Sequence, residues 1–132
     1  MVKKIINTKN APLPIGPYSQ AVMAGGTLYC SGQVAISPKN GELNIADLNT
    51  ETHQVMKNLK AVISEAGLVF RDVVKCSIFL KNMDDFAEVN KIYGEYFESS
   101  FPARETVQVS KLPLDVNVEI SLIAVKQGNP YP

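Results

Sequence analysis

The sequence has one histidine, two cysteines, no tryptophan and no excess of charge, since thirteen basic residues cancel thirteen acidic ones. Each scarcity removes a class of function. With His53 as the only histidine and no metal-ligand spacing around Cys30 or Cys76, a metal site would have to be assembled from carboxylates, and none is expected. A Ser-His-Asp arrangement fails too, because His53 falls in a predicted helix with no nucleophile motif beside it. Both cysteines read as reduced thiols, and Cys76 lies on an apolar strand face, where a structural role is the simpler one. Zero net charge lacks the basic footprint by which nucleic-acid binders neutralise phosphates. No run approaches the ~20 consecutive apolar residues that span a bilayer. Met1–Asn7 has lysines ahead of only a short apolar patch and does not read as a signal peptide. The expectation is a cytoplasmic protein with no metal, nucleic-acid or membrane partner.

What is present is ordinary for a globular protein: 132 residues, 45% apolar and 20% charged, sufficient for one domain, 1–132, with a real core. Residues 2–6 predict a short strand. Asn10–Pro17 carries three prolines and Gly16, an extended loop with fixed dihedrals. Ser19–Ala24 and Thr27–Gln33 predict strands joined by Gly25-Gly26, a hairpin signal because both turn residues need positive φ. Gly32 in the second strand marks a bulge or a close approach to the backbone. Ser37–Asn49 predicts a mobile loop. A helix capped by Asn49 or Thr50 follows, with Val55, Met56, Leu59, Val62, Ile63 and Ala66 as its apolar stripe and Gly67 as its stop. It reads as core packing alone.

Asp72–Lys81 predicts a strand with Val74, Cys76, Ile78 and Leu80 on its apolar face and Val73, Lys75, Ser77, Phe79 and Lys81 opposite. A second helix starts near Asp84 or Asp85 and buries Phe86, Val89, Tyr93, Tyr96 and Phe97, with Asn90 on or beside that face. Phe101–Ser110 and Val116–Lys126 predict strands separated by Lys111–Asp115. Arg104, Thr106, Gln108 and Ser110 share one face of the former, and Asn117, Glu119 and Ser121 one face of the latter. Pairing these two as a hairpin sets Thr106 opposite Glu119. The result is one polar face holding a guanidinium, a carboxylate, a threonine and amides. Such a face is either a solvated outer surface or an anion site, where the planar fork of arginine grips a carboxylate and Glu119 positions a water.

Pro102-Ala103-Arg104, followed by Val107-Gln108-Val109, Leu112-Pro113 and Val118-Glu119-Ile120, resembles the signature of the reactive-intermediate deaminase family (Rid, or YjgF-like). Ile15-Gly16-Pro17-Tyr18-Ser19-Gln20, Ser31-Gly32-Gln33, Gln54 to Asn58 with Leu59-Lys60-Ala61, and Phe86-Ala87-Glu88-Val89-Asn90 match it in the family's order. The resemblance covers nearly the whole chain. It implies an α+β fold of the chorismate-mutase-like kind, a mixed β-sheet with two helices packed on one face and an N-terminal β-hairpin. In that fold the Asp72–Lys81 strand lies between the last two strands, and three copies form a homotrimer with clefts between subunits.

The implied activity is hydrolysis of 2-imino acids, such as 2-iminobutanoate and 2-iminopropanoate, to 2-oxo acids and ammonia, without a cofactor. On the matching positions, Arg104 would hold the carboxylate and Glu119 would orient water and manage protons. Ser31, the Gly32 amide and the Thr106 backbone would help bind, and Tyr18 and Asn90 would complete the pocket. Two departures stand out. Many relatives have cysteine where this chain has Thr106, and the usual Val-Glu-Ile-Glu ends here in Ser121. The rival reading is a non-catalytic trimer that binds a 2-oxo acid and reports it to a partner; Arg104 suits both, while Glu119 is needed mainly by an enzyme. A third, RNA cleavage, gains nothing from the neutral charge.

Overall fold

The computed structural model describes residues 2–127, so both ends of the expected 1–132 domain lie outside the described residues. Strands β1 (Lys4–Ile6), β2 (Ala21–Ala24), β3 (Thr27–Gln33), β4 (Val73–Leu80), β5 (Ala103–Gln108) and β6 (Val118–Val125) form one six-stranded sheet in the order β1-β2-β3-β6-β4-β5. Helix α1 (Leu48–Glu65) packs on β3 and β6, and α2 (Phe86–Gly94) packs on α1. The expected α+β architecture is what forms. The β2–β3 hairpin turns through Gly25 and Gly26 at φ 57 and 81, the conformation that the glycine pair was expected to supply.

The last two strands are not a hairpin. β4 lies between them, antiparallel to β6 and parallel to β5. Composition explains the choice: the pairs Ile78↔Ile120 and Cys76↔Leu122 bury apolar side chains at the centre, while β5, with Arg104, Glu105 and Gln108, is polar enough for an edge. Glu105 finds partners there, bonding Ser77 and lying 3.2 Å from Lys75 Nζ. The Ser77 hydroxyl and then Lys75 hold its carboxyl below the ordinary value.

The start of β4 departs from strict alternation. A register shift between Val73 and Lys75 adds one residue to the strand and exchanges its faces, so Val73 is buried and Val74 exposed, the reverse of the expected assignment.

Asp47, rather than Asn49 or Thr50, caps α1; its Oδ1 accepts from Thr50 N at 2.7 Å. The far end closes as expected on Gly67 at φ 78, with Leu68 N donating to Ile63 O and Gly67 N to Ser64 O, a Schellman arrangement. Helix α2 follows a 3₁₀ turn, Met83–Asp85, in which Met83 N donates to Gln108 Oε1 and Asp84 N to Asn82 Oδ1. It buries Val89, Ile92 and Tyr93. Phe86 is partly exposed, Asn90 is exposed, and Tyr96 and Phe97 lie beyond the helix, 5.5 and 5.4 Å from the Phe70 ring. The Ser37–Asn49 segment is loop up to the helix, but an Ile36↔Leu43 bridge crosses it. Beside it, Asn58 Nδ2 donates to Val34 O and Ile36 O at 3.1 and 2.9 Å.

Helix α1 does more than pack. Glu51 is fully buried and accepts from Asn117 N at 2.8 Å, Asn117 Nδ2 at 2.7 Å and Val118 N at 3.3 Å. A buried carboxylate needs such donors, and here they fix the first residues of β6, immediately before Glu119. Glu51→Ala should cost about 2–4 kcal/mol, because it strands one buried and two partly buried donors. Glu51→Gln should recover only part of this, since its NH₂ group would face a donor. Chemical denaturation measures both, and an unchanged midpoint for the alanine variant would refute the assignment.

Candidate functional site

Arg104 projects from the edge strand β5 on the helix-covered side of the sheet. Its β4 neighbour is Cys76, and that of Thr106 is Ile78, both buried under the helices. The guanidinium carbon lies 5.1 Å from the Tyr93 ring centroid and 5.6 Å from that of Phe86, a cation–π platform. Burial, then the neighbouring Cys76 thiol, raises the Tyr93 hydroxyl far above its ordinary value, so the ring stays neutral beneath the cation. Arg104 Nη1 donates to Asn90 Oδ1 at 2.6 Å. Among the described residues no carboxylate pairs with Arg104, which leaves its other donors available. They border a cleft of about 480 Å³ lined by Asn90, Tyr93, Gly94, Phe101, Pro102 and Arg104. The Thr106 hydroxyl is buried and has no hydrogen-bond partner among the described residues.

Glu119 lies elsewhere. It is paired with Phe79 on β4, while Thr106 is paired with Ile78. Consecutive β4 residues point to opposite faces, so Glu119 and Ser121 stand on the open face and Arg104 and Thr106 on the helix side. The single polar face expected from the sequence does not exist within one chain. Alternation assigns residues to faces inside a strand; only the register between strands relates one strand's faces to another's. Setting Thr106 opposite Glu119 assumed a hairpin that β4 replaces.

Gly32 stands against Glu119, with Ser31 beside it and Tyr18 across a small cavity, whereas Asn90 and Thr106 stay with Arg104. The β3–β6 register breaks between Cys30 and Gln33, and Gly32 sits in that irregularity. A Cβ on Gly32 would lie 2.8 Å from Glu119 Cδ and Oε2, so glycine is what lets the carboxylate lie against the β3 backbone. Burial raises the Glu119 carboxyl above its ordinary value. Ser31 is committed to the fold: its hydroxyl donates to Ser19 O at 2.6 Å and its amide to Gln20 O at 3.0 Å. Tyr18 is half exposed and, with Pro12, Leu13, Ile15 and Gly32, borders a small cavity of about 40 Å³.

Gln20 matters more than its place in a motif suggests. Fully buried, it accepts from Thr8 N at 2.7 Å and donates to Thr8 O and Pro12 O at 3.0 and 2.8 Å, pinning the proline loop that presents Tyr18. An amide immediately before the apolar strand β2 is the available signal.

The two cysteines are free and buried; burial and the proximity of Cys76 push the Cys30 thiol up to about 12, which keeps it protonated and unreactive. His53 Nδ1 lies 2.7 Å from the Tyr96 hydroxyl. No helix among the described residues is long and apolar enough to cross a membrane.

Fold and geometry together define an α+β protein of the chorismate-mutase-like type, with a basic cleft at one sheet edge and a half-buried acid on the sheet's open face. The family model described as Endoribonuclease L-PSP matches residues 8–126, and the chain belongs to that family, the Rid or YjgF group that its motifs resemble. A RutC family protein of Pyrococcus horikoshii is 50% identical over 126 residues, covering 96% of this chain and 100% of the relative. A protein of Dermatophagoides farinae named 2-iminobutanoate/2-iminopropanoate deaminase is 46% identical, covering 93% and 96%. Among solved structures, E. coli TdcF with bound serine superposes with a TM-score of 0.90 at 39% identity, covering 94% of this chain and 99% of that one.

Proposed function

We propose that this chain hydrolyses small 2-imino acids, 2-iminobutanoate and 2-iminopropanoate among them, to the 2-oxo acid and ammonia. The observation that carries the reading is an arginine facing a cleft with no acid partner among the described residues, in a chain whose Glu119 carboxyl is raised by burial above its ordinary value. The deaminase name of one relative and the amino acid bound to another support it.

Because Arg104 and Glu119 lie on opposite faces of one sheet, a single chain cannot bring both to one small acid. The reading therefore needs two copies, with the β5 edge of one set against Tyr18, Gly32 and Glu119 of the next. The open face has a matching need for cover, since Phe79, Ile123 and Val125 are only partly buried and Val107 and Tyr29 are exposed. We take the assembly to be the homotrimer implied by the family resemblance. Light scattering should then give three times the chain mass of 14.4 kDa.

In this cleft the Arg104 fork holds the substrate carboxylate, with Asn90 fixing the fork. The Gly32 amide, the Ser31 region and the Thr106 backbone line the bound acid, and Tyr18 closes one side. Glu119 accepts a proton as water oxygen bonds to the imine carbon. The proton passes to nitrogen to give the carbinolamine, whose hydroxyl proton then moves to nitrogen as the C–N bond breaks, so that ammonia leaves and the 2-oxo acid forms. No covalent enzyme intermediate is needed, so the rate comes from holding water against a fixed electrophile and from charge stabilisation.

The test couples the protein to a threonine dehydratase and traps residual imine with semicarbazide. The wild type should suppress the trapped signal; an undiminished signal overturns the reading and favours a protein that binds a carboxylate without turnover. Gly32→Ala provides a finer check. Its Cβ would collide only with the end of a flexible side chain, so the fold should hold, with the melting temperature nearly unchanged. The Glu119 carboxylate must move, however, and kcat should fall about a hundredfold, the loss expected when a catalytic group is misplaced by about 1 Å. Full activity in this variant would remove Glu119 from the mechanism.

A further inference from the structure

Gly94 is the last residue of α2 and lines the Arg104 cleft. Glycine is a poor residue for a helix, and none of its usual reasons applies here. Its backbone is outside the left-handed region, unlike that of Gly67, which stops α1. The residue after it, Glu95, keeps a helical φ of −67, so Gly94 is not the helix stop. No atom lies within 4 Å of where its Cβ would be, so no neighbour requires its absence. What a side chain at this position would occupy is the space of the cleft.

The rest of the lining fits that reading. Phe101 is 62% exposed, although its ring centroid is 6.2 Å from that of Phe97. It therefore presents an aromatic surface to the cleft beside the stiff Pro102. Within one chain, before the second copy closes on the β5 edge, the cleft measures about 480 Å³, inside the range of small-molecule pockets. The guanidinium stands at one side, with apolar walls leading away from it.

We infer that Gly94 sets the size of the side chain this protein accepts, leaving room along Phe101 for branched or aromatic 2-imino acids bound through their carboxylate to Arg104. The inference rests on the proposed function and deepens it. Residue 94 touches the part of the substrate that does not react, so it governs specificity and leaves the chemistry alone.

The experiment uses the full chain and an L-amino-acid oxidase to generate the imines of alanine and leucine, with residual imine trapped by semicarbazide. Gly94→Leu should lower kcat/KM for the leucine-derived imine by about 10- to 100-fold, mostly through KM, the scale of a filled apolar pocket. It should leave the alanine-derived imine within about twofold. Gly94→Ala, which suits a helix and projects little, should match the wild type on both. Equal losses on both imines, or no loss on either, overturn the inference and leave the deaminase reading standing. If the wild type hydrolyses neither imine, the deaminase reading fails, and calorimetry with 4-methyl-2-oxopentanoate and pyruvate decides the point. A selective loss of the larger acid in Gly94→Leu supports a size-setting Gly94, and unchanged binding of both rejects it.

Discussion

Arg104→Ala should lower kcat/KM for 2-iminobutanoate about a thousandfold while leaving the protein folded. Two charge-assisted hydrogen bonds from a fork to a carboxylate contribute roughly 1.5–3 kcal/mol each, and about 4 kcal/mol in total is a factor of a thousand. Little opposes that loss in the fold. The side chain sits on an edge strand and, among the described residues, makes one hydrogen bond, to Asn90; its removal also forgoes a cation–π contact with Tyr93 and Phe86 of about 0.5–1 kcal/mol. Arg104→Lys keeps the charge but not the fork and should recover only part of the activity. The imine-trapping assay, read beside a thermal melt, measures both quantities. A variant with normal kcat/KM would show that the cleft binds nothing relevant to turnover.

Glu119→Gln should separate activity from stability in opposite directions. As the proton acceptor, Glu119 should carry about 10²–10⁴-fold of kcat. Burial raises its carboxyl pKa in the folded chain, and the sign of the stability effect follows. A carboxyl raised above its unfolded value stabilises the fold below that unfolded value and loses this contribution as pH rises through the folded value. At pH 7 the charged group is therefore a cost, reduced by the solvent that still reaches its half-exposed side chain. Glu119→Gln removes that cost, and its melting temperature at pH 7 should exceed the wild type's. The wild-type pH profile should show an acid limb shifted upward from the ordinary glutamate value, absent in the variant. A melting temperature lowered together with activity would mark Glu119 as a structural residue instead.

The elements themselves were legible because each carried its own local signal. Gly25-Gly26 predicted a hairpin, Gly67 a helix stop, and the alternation of Val118 to Ala124 a half-buried strand, and all three formed. What local signals could not supply was the relation between elements. The insertion of β4 between β5 and β6 is a choice among sheet orders that only the summed burial of apolar pairs decides. The resemblance supplied this arrangement; the alternation could not. That same gap misplaced Arg104 and Glu119 on one face. The bulge at Val73 was invisible for a related reason, since adding one residue leaves composition unchanged while exchanging two side chains. Glu51 escaped because an acid in a first helical turn reads as solvated, and its partners at Asn117 and Val118 lie far along the chain. Gly32 was the opposite case: a glycine inside a strand pattern announced a close approach, and Glu119 is what approaches.

The separation of guanidinium and carboxylate across the sheet has a genetic corollary under the proposed two-chain cleft. A protomer crippled at its edge and one crippled on its exposed face are each useless in pure assemblies. Co-expressed, they can still build some intact crevices, so two null alleles would complement each other.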